Sequence, residues 1–377
     1  MNKRTNLHDK IIEYVIKSII PTTLVVALLI GGLESSLNRI LSVATYMIYP
    51  EKIFEFFENY NKDNTVNSDK IVNETAKAEN TESVITSANV KLTIPADIQK
   101  LVKQAEKTYA NSSNDGKIQE SDYSKQNATS EYNGIYLRNT TLNHQINIEE
   151  YLNKQVYAFV SANKPSVLIY HTHTTETYEL LDRTFYTNER NIRSENSAEN
   201  MVRVGEEICR ILEEKGYRTI HDKTIYDETL SGAYERSREN ISKILKENPS
   251  IQIVLDVHRG SIYQKDGSKI KTVTEINGRK AAQILLITGC EDGNVIDFPN
   301  WQKNLTFALN LQEKLKDDNE TLVQPLMLCS RKYNMDLIPC AISIEIGTDA
   351  NTLSEAVYSA GLFATSLSDF LEEYKIK

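Results

Sequence analysis

The carboxyl-terminal two thirds of the chain alternates between short apolar runs and longer segments in which apolar residues recur at helical spacing. Residues 167–170, 251–257 and 341–346 are short apolar runs, as expected for buried strands. Residues 198–215 and 233–246 place apolar side chains three and four positions apart, which predicts helices with one buried face. This order predicts an α/β domain with a mostly parallel or mixed central sheet and helices on both faces.

The same patterns extend over the remainder of this domain. They predict further strands at 217–221, 271–276 and 283–288, and helices at 302–316 and 354–373. Thr352 stands where it can cap the last of these helices. The chain contains no glycine-rich dinucleotide fingerprint and no P-loop, so nothing in it indicates a nucleotide-binding enzyme.

The amino-terminal segment has the length and character of a membrane anchor. Residues 14–33 are predominantly apolar and long enough to cross a bilayer, which takes about 20 residues. Basic residues precede this stretch, at Lys3, Arg4 and Lys10, and predict a cytoplasmic amino terminus with the body of the chain outside the membrane. A cleaved signal peptide and a buried soluble helix are the alternatives. Residues 1–36 are therefore expected to be a tail and a single-pass anchor.

A polar stretch separates this anchor from the α/β domain. Residues 37–57 are amphipathic and rich in aromatic side chains, which is typical of a segment at a membrane surface. Residues 61–131 are dominated by polar and charged residues and offer little apolar surface to bury. We therefore expect a flexible linker over 37–133, with a short helix at 98–109, and a catalytic-type domain over 134–377.

Charge and cysteine content exclude several classes of protein. A formal net charge of −9 and a pI of about 5.4 argue against a broad nucleic-acid surface, which would be basic. No cysteine pair has CxxC spacing, so zinc-finger and thioredoxin-like sites are not indicated. The cysteines, Cys209, Cys290, Cys329 and Cys340, are predicted to be mostly buried free thiols.

Histidine and glutamate residues stand at the ends of the predicted strands. The strand at 167–170 runs into His171-Thr-His173-Thr-Thr-Glu176, and the strand at 251–257 ends at His258. His173, Glu176 and His258 make a His₂Glu set, which is a ligand set of catalytic zinc. Glu195 and Glu199, at the start of the following helix, are alternative carboxylate ligands. The competing interpretation is that the histidines are hydrogen-bonded residues of the core or its rim.

A carboxylate also interrupts the predicted strand at 341–346. Glu345 would be costly to bury there unless it were paired or used, and beside a zinc site it would serve as general base and then general acid. Arg259 is a candidate to bind a carboxylate or to stabilise an oxyanion. The candidates for substrate contact or for support of the ligands are His171, Asp256, Arg331 and Asn334.

Taken together and in order, several segments resemble the stage II sporulation protein P family. They are VLIYHTHTTETY at 167–178, DVHRGS at 256–261, GRKAAQILLITG at 278–289, RKYNMDL at 331–337 and SIEIGTDANT at 343–352. The resemblance implies a membrane-anchored, zinc-dependent N-acetylmuramoyl-L-alanine amidase with endopeptidase activity on stem-peptide cross-links. It also implies a role in forespore engulfment, with stage II sporulation proteins D and M as partners, and a fold similar to the wider zinc amidases of the cell wall.

The motifs of this family also imply individual roles. His173 matches the first zinc ligand, His258 the second histidine and Glu345 the catalytic glutamate. The wider amidases place the carboxylate ligand at the start of a helix, at Glu195 or Glu199 here, whereas the family's own motif points to Glu176, which we favour. A zinc carboxypeptidase or endopeptidase acting on stem peptides, and a non-catalytic wall-binding module of a membrane complex, remain alternative functions.

Overall fold

The computed structural model describes residues 92–161 and 163–375. The helices are α1 Ala96–Thr108, α2 Ile148–Leu152, α3 Met201–Glu214, α4 Ala233–Glu247, α5 Trp301–Asp318 and α6 Leu353–Glu372, with a 3₁₀ turn at Met335–Leu337. The strands are β1 Gly116–Ser121, β2 Ser130–Tyr132, β3 Ile135–Asn139, β4 Val167–Tyr170, β5 Phe185–Tyr186, β6 Thr219–His221, β7 Ile253–Gly260, β8 Lys269–Ile276, β9 Arg279–Ala282, β10 Ile284–Gly289, β11 Leu326–Cys329 and β12 Ala341–Thr348.

The main sheet is mixed, as one of the two sequence-based alternatives predicts. Within the described ranges it has eight strands in the order β2-β3-β11-β10-β12-β7-β4-β6. Neighbouring strands from β12 to β6 are parallel, but β10 is antiparallel to β12 and β2 is antiparallel to β3. Since β12, β7 and β4 run in one direction side by side, the residues at and near their carboxyl ends come together.

The core is built from strands that are apolar on both sides and from helices with broad buried faces. Every residue of β4, β7 and β10 is buried, which accounts for their continuous apolar character in the sequence. Helices α3 and α5 both pack against α6, which also contacts β9 and β12. The predicted cap of α6 is confirmed, because Thr352 and Glu355 form a reciprocal capping box.

The folded unit begins earlier than the predicted boundary at Gly134, and this corrects the extent of the linker. The predicted short helix is present as α1, whose Ile98 is fully buried, and the side chain of Asp97 is 2.7 Å from that of Arg203 in α3. Strand β1 pairs in parallel with β8 in a four-stranded sheet of order β5-β1-β8-β9. Composition missed β1 because strand pairing satisfies backbone groups and needs few apolar side chains.

The predicted anchor at residues 14–33 and the amphipathic segment at 37–57 lie outside the described ranges. Within 92–161 and 163–375, no helix combines the length and the apolar character needed to cross a membrane. The anchor therefore stays a prediction from the sequence.

The cysteines follow the prediction that they are mostly buried free thiols. Cys209, Cys290, Cys329 and Cys340 are all free and buried. Burial raises the pKa of the Cys290 and Cys340 thiols to about 12, so these side chains are uncharged at neutral pH.

Candidate active site

The turn that follows β4 is fixed by buried carboxylates from other parts of the chain. The backbone nitrogen and hydroxyl of Thr172 donate to Asp256 at 2.9 and 2.8 Å. The hydroxyl of Thr175 donates to Asp227 at 2.7 Å. The turn closes on itself where the nitrogen of Glu176 donates to the His173 carbonyl at 3.2 Å. The threonines of HTHTTE therefore hold the backbone while its histidine and glutamate side chains are presented to the site.

Strand pairing brings the glutamate of β12 to the histidine of β7. Glu345 stands directly opposite His258 in the parallel ladder, so both side chains lie on one face of the sheet. Glu345 is the one residue of β12 that is partly exposed. A methyl group on Gly260 would lie 2.8 Å from Glu345 Oε2, so the absence of a side chain at this glycine leaves room for the carboxylate.

His173, Glu176 and His258 form one cluster. The rings of His173 and His258 meet edge to face with centroids 5.3 Å apart, and Glu176 Oε2 lies 3.7 Å from His258 Nδ1. His173 Nδ1 is buried and has no hydrogen-bond partner among the residues that the structure describes. Buried polar atoms are nearly always partnered, so an unpartnered ring nitrogen on a histidine that packs against His258 is typical of a functional site.

The two carboxylates beside His258 set its charge. Burial favours the neutral imidazole, but Asp256 and Glu176 outweigh it and raise the pKa of His258 to about 10. Asp256 Oδ1 lies 2.8 Å from His258 Nε2, although the angle is not that of a hydrogen bond. Burial opposes the charge of Glu176 too, yet His258 and Arg259 hold the pKa of this carboxyl far below its ordinary value. In the metal-free protein the pair is therefore ionic.

Glu345 titrates quite differently from Glu176. Its poorly hydrated position raises the pKa of the Glu345 carboxyl to about 7, and the nearby charge of His258 only partly offsets this effect. A carboxyl with this pKa exchanges a proton readily at neutral pH, which is the property required of a general base that later acts as an acid. Two glutamates in one site with pKa values pushed apart are typical of acid–base machinery.

Histidine nitrogens and a carboxylate oxygen, the donor atoms of this cluster, are atoms that zinc binds. In the part of the chain that the structure describes, no three His, Cys, Asp or Glu side chains form a ready-made metal centre. The unpartnered Nδ1 of His173, with Glu176 and His258 beside it, is nevertheless the His₂Glu donor set that catalytic zinc uses. Because His258 carries a proton, metal binding at this cluster has to displace that proton.

The other two candidates for the carboxylate ligand lie elsewhere. Glu199 pairs with Arg190 at 2.7 Å and accepts a hydrogen bond from the Ser194 hydroxyl at 3.0 Å. Glu195 is exposed to solvent. Of the three candidates, Glu176 is the one that the structure places beside His258.

The guanidinium of Arg259 has three backbone partners, and its predicted oxyanion role stays a prediction. Its guanidinium donates to the carbonyls of Thr177 at 2.6 Å, Gly260 at 3.1 Å and Ile192 at 3.0 Å. Its backbone nitrogen donates to Glu176 Oε2 at 3.2 Å. The side chain therefore ties the segment after the histidine motif to β7, and its main chain steadies Glu176.

Two of the remaining candidates, His171 and Asn334, contact backbone carbonyls around the site. His171 is fully buried, and its ring contacts the Val257 carbonyl at 2.8 Å and His221 at 2.9 Å. The side-chain amide of Asn334 donates to the Tyr234 carbonyl at 3.1 Å. The backbone nitrogen of Arg331 donates to the Cys329 carbonyl at 2.9 Å. His171 and Asn334 thus support the surrounding backbone, whereas Asp256 lies directly against His258.

Sequence reasoning missed two aromatic residues and one arginine at this site. Tyr234 meets His173 edge to face with centroids 5.7 Å apart, and Tyr333 lies 5.1 Å beyond Tyr234. Arg193 is 3.9 Å from Glu176 and 2.6 Å from Asp227. Burial raises the pKa of Tyr234 well above 10, so its hydroxyl stays protonated. No local signal marks these residues, because each comes from a segment brought to the site only by folding.

The comparisons with known proteins agree with the family suggested by the motifs. A relative from Bacillus subtilis (strain 168), described as "Stage II sporulation protein P", is 25% identical over 221 residues, which are 55% of this chain and 52% of the relative. The match therefore spans about half the length of that curated relative.

Solved cell-wall amidases overlap only loosely. The CwlD amidase from Clostridioides difficile, solved with the GerS lipoprotein, is 14% identical with a TM-score of 0.35, over 55% of this chain and 98% of that one. AmiC2 of Nostoc punctiforme is 11% identical with a TM-score of 0.31, over 55% of this chain and 97% of that one. At these TM-scores the overlaps indicate similarity alone.

The model of one protein family covers most of the chain. The family described as Stage II sporulation protein P (SpoIIP) matches residues 54–368, which include every candidate residue of the site. This chain therefore belongs to the stage II sporulation protein P family.

Proposed function

We propose that the protein is a zinc-dependent peptidoglycan hydrolase that cleaves the amide between N-acetylmuramic acid and L-alanine. The observation that carries the proposal is the pairing of Glu345 with His258 on neighbouring strands, beside His173 and Glu176. This arrangement combines a zinc donor set with a carboxyl of pKa about 7, which are the two components that zinc-dependent hydrolysis of an amide uses.

His173, Glu176 and His258 would hold the zinc ion, which when bound would act as a Lewis acid and activate water. Glu345 accepts the proton of the attacking water as the new carbon–oxygen bond forms. It then transfers that proton to the nitrogen of L-alanine as the carbon–nitrogen bond breaks. The pKa of Glu345 suits both transfers, because it lies close to the pH at which they occur.

The sporulation role and the location extend this proposal. Membership of the family supports action on the wall of a sporulating cell during engulfment, with a further endopeptidase activity on cross-links. We propose that residues 14–33 anchor the chain in the cell membrane with the amino terminus in the cytoplasm, so that the domain meets peptidoglycan outside it. Stage II sporulation proteins D and M are the partners proposed with this role.

The test uses the full chain and purified peptidoglycan, with and without a chelator, and identifies the products by mass. We expect release of intact stem peptides, loss of release on chelation, and recovery when zinc is restored. Release of stem fragments while glycan keeps its L-alanine would instead establish a stem peptidase. A chain that binds zinc and glycan but releases nothing would contradict the hydrolase and favour a wall-binding module.

A further inference from the structure

Hydrolysis of an amide develops negative charge on the carbonyl oxygen, and the Arg259 guanidinium is already engaged with the backbone. The guanidinium that the sequence offered for this role donates to the carbonyls of Thr177, Gly260 and Ile192. Arg193, the other cation near Glu176, pairs with Asp227 at 2.6 Å. Stabilising a developing negative charge requires a donor that is fixed in the site before the reaction begins.

Tyr234 is held at the site by several contacts. It is the second residue of α4, and its carbonyl accepts hydrogen bonds from Asn334 Nδ2 and from the Ser237 hydroxyl, each at 3.1 Å. Its ring contacts the rings of His173 and Tyr333, with centroids 5.7 and 5.1 Å away. Packing against two aromatic rings limits the movement of the phenol ring.

The hydroxyl of Tyr234 has no hydrogen-bond partner in the described ranges, although the side chain is only partly exposed. The other tyrosines around the sheet behave differently. The hydroxyl of Tyr178 donates to the Ile346 carbonyl at 2.8 Å, and that of Tyr358 donates to the Ile276 carbonyl at 3.0 Å. The Tyr234 hydroxyl is not one of the buried polar atoms that lack a partner, so it reaches solvent and is available to donate to a bound molecule.

We propose that the Tyr234 hydroxyl binds the carbonyl oxygen of the scissile amide and stabilises the negative charge that develops on it. This inference rests on the proposed hydrolase function and makes Tyr234 a catalytic residue of that reaction. The ligand that it recognises is an amide carbonyl adjacent to the zinc ligand His173. The geometry suits the role, because the Tyr234 ring packs edge to face on His173 and its hydroxyl is a donor with no partner in the described ranges.

The alternative explanation is that the Tyr234 ring serves only to pack against His173. The substitution Tyr234→Phe separates the two roles, since it removes the hydroxyl and keeps the ring. A packing role predicts unchanged kinetics. A donor role predicts that kcat falls about 10- to 100-fold while KM changes little, which is somewhat below the usual effect of deleting an oxyanion donor.

The experiment compares the zinc-loaded full chain with its Tyr234→Phe and Tyr157→Phe variants on a soluble N-acetylmuramoyl-L-alanyl peptide. Tyr157 is 42% exposed, so Tyr157→Phe is the matched control and should keep wild-type rates. Zinc content and the thermal midpoint are measured for each variant. A second readout is calorimetric binding of a phosphinate analogue of the scissile amide, which we expect to weaken about tenfold in Tyr234→Phe.

The outcomes separate this inference from the function on which it rests. A low kcat and weak analogue binding, at unchanged zinc content and thermal midpoint, support the Tyr234 donor. An active wild type with a Tyr234→Phe variant within twofold of it overturns the donor alone. So does a variant that loses zinc or stability, since that result indicates a structural role. A zinc-loaded wild type that does not cleave the substrate overturns the proposed function itself.

Discussion

Buried charges are held in two different ways in this chain. Around Lys271, which is 1% exposed, the ammonium contacts Asp182 at 2.6 Å, Glu355 at 2.7 Å and Glu120 at 3.3 Å. Lys280 adds contacts to Glu120 at 2.6 Å and to Asp182 at 2.9 Å. We call these five residues the Lys271 cluster. It joins β1, β8 and β9 to α6, and each of its charges has an opposite charge in contact.

The candidate active site pairs its charges incompletely. His173 Nδ1 has no partner, Glu176 and His258 approach only to 3.7 Å, and Glu345 has a pKa of about 7. Complete pairing stabilises a fold, whereas unpartnered donors and perturbed pKa values leave groups available for chemistry. The comparison therefore predicts that substitutions in the two regions affect different measured quantities.

The largest effect is expected at Glu345. The substitution Glu345→Gln removes the proton acceptor but keeps the shape of the side chain, so kcat should fall by about 10²- to 10⁴-fold. Zinc content and the free energy of unfolding should change little. Glu195→Gln, at an exposed position, is the control and should keep full activity. Full activity in a folded, zinc-loaded Glu345→Gln variant would remove Glu345 from the mechanism.

The Lys271 cluster should respond in stability instead. Lys271→Met leaves the buried Glu355 without its cation, and losing one partner of a buried pair lowers the free energy of unfolding by about 3–5 kcal/mol. Denaturant unfolding measures this loss, while kcat per folded molecule should stay near wild type. Lys280→Met is the matched control, because Lys280 is 43% exposed and exposed pairs contribute about 0–1 kcal/mol. Equal losses in the two variants would contradict the comparison.

An intermediate effect is expected at Gly260, which contacts the site without carrying chemistry. A Cβ at this position would lie 2.8 Å from Glu345 Oε2, so Gly260→Ala should displace the carboxylate. Because small misplacements of reacting groups lower rates by up to about 100-fold, kcat should fall roughly 10- to 100-fold in this variant. Steady-state kinetics provide the check, with denaturant unfolding as the control for a general loss of structure. An unchanged kcat would show that Glu345 tolerates the displacement.

The smallest effect is the dependence on pH. A general base must be deprotonated, so kcat/KM should rise about tenfold per unit as pH approaches 7 from below and then level off near the pKa of Glu345. Stability should change in the opposite direction: the folded state holds this proton more tightly, so the free energy of unfolding falls as pH rises from about 4.5 to 7. Glu345→Gln should abolish this fall, and a rate profile flat across pH 7 would contradict the assignment.

Much of this architecture was predictable because the relevant signals are local. The buried strands β4, β7 and β12 each contain an apolar run, so a histidine or glutamate at or near the end of each one stood out. The start of helix α6 was predictable from Thr352, because its capping partner Glu355 lies three residues later in the sequence. Donor chemistry then favoured zinc, since two histidines and a glutamate are a ligand set of that metal.

The tertiary structure decided everything that depends on contacts between distant segments. The sequence left Glu176, Glu195 and Glu199 as alternatives, and strand pairing brought only Glu176 to His258. The sequence could not show that the Arg259 guanidinium donates to the carbonyls of Thr177, Gly260 and Ile192. Strands β1 and β2 formed from polar sequence, because hydrogen bonds between backbones do not depend on side-chain composition. Periodicity thus identified the elements, and long-range packing determined what each polar side chain contacts.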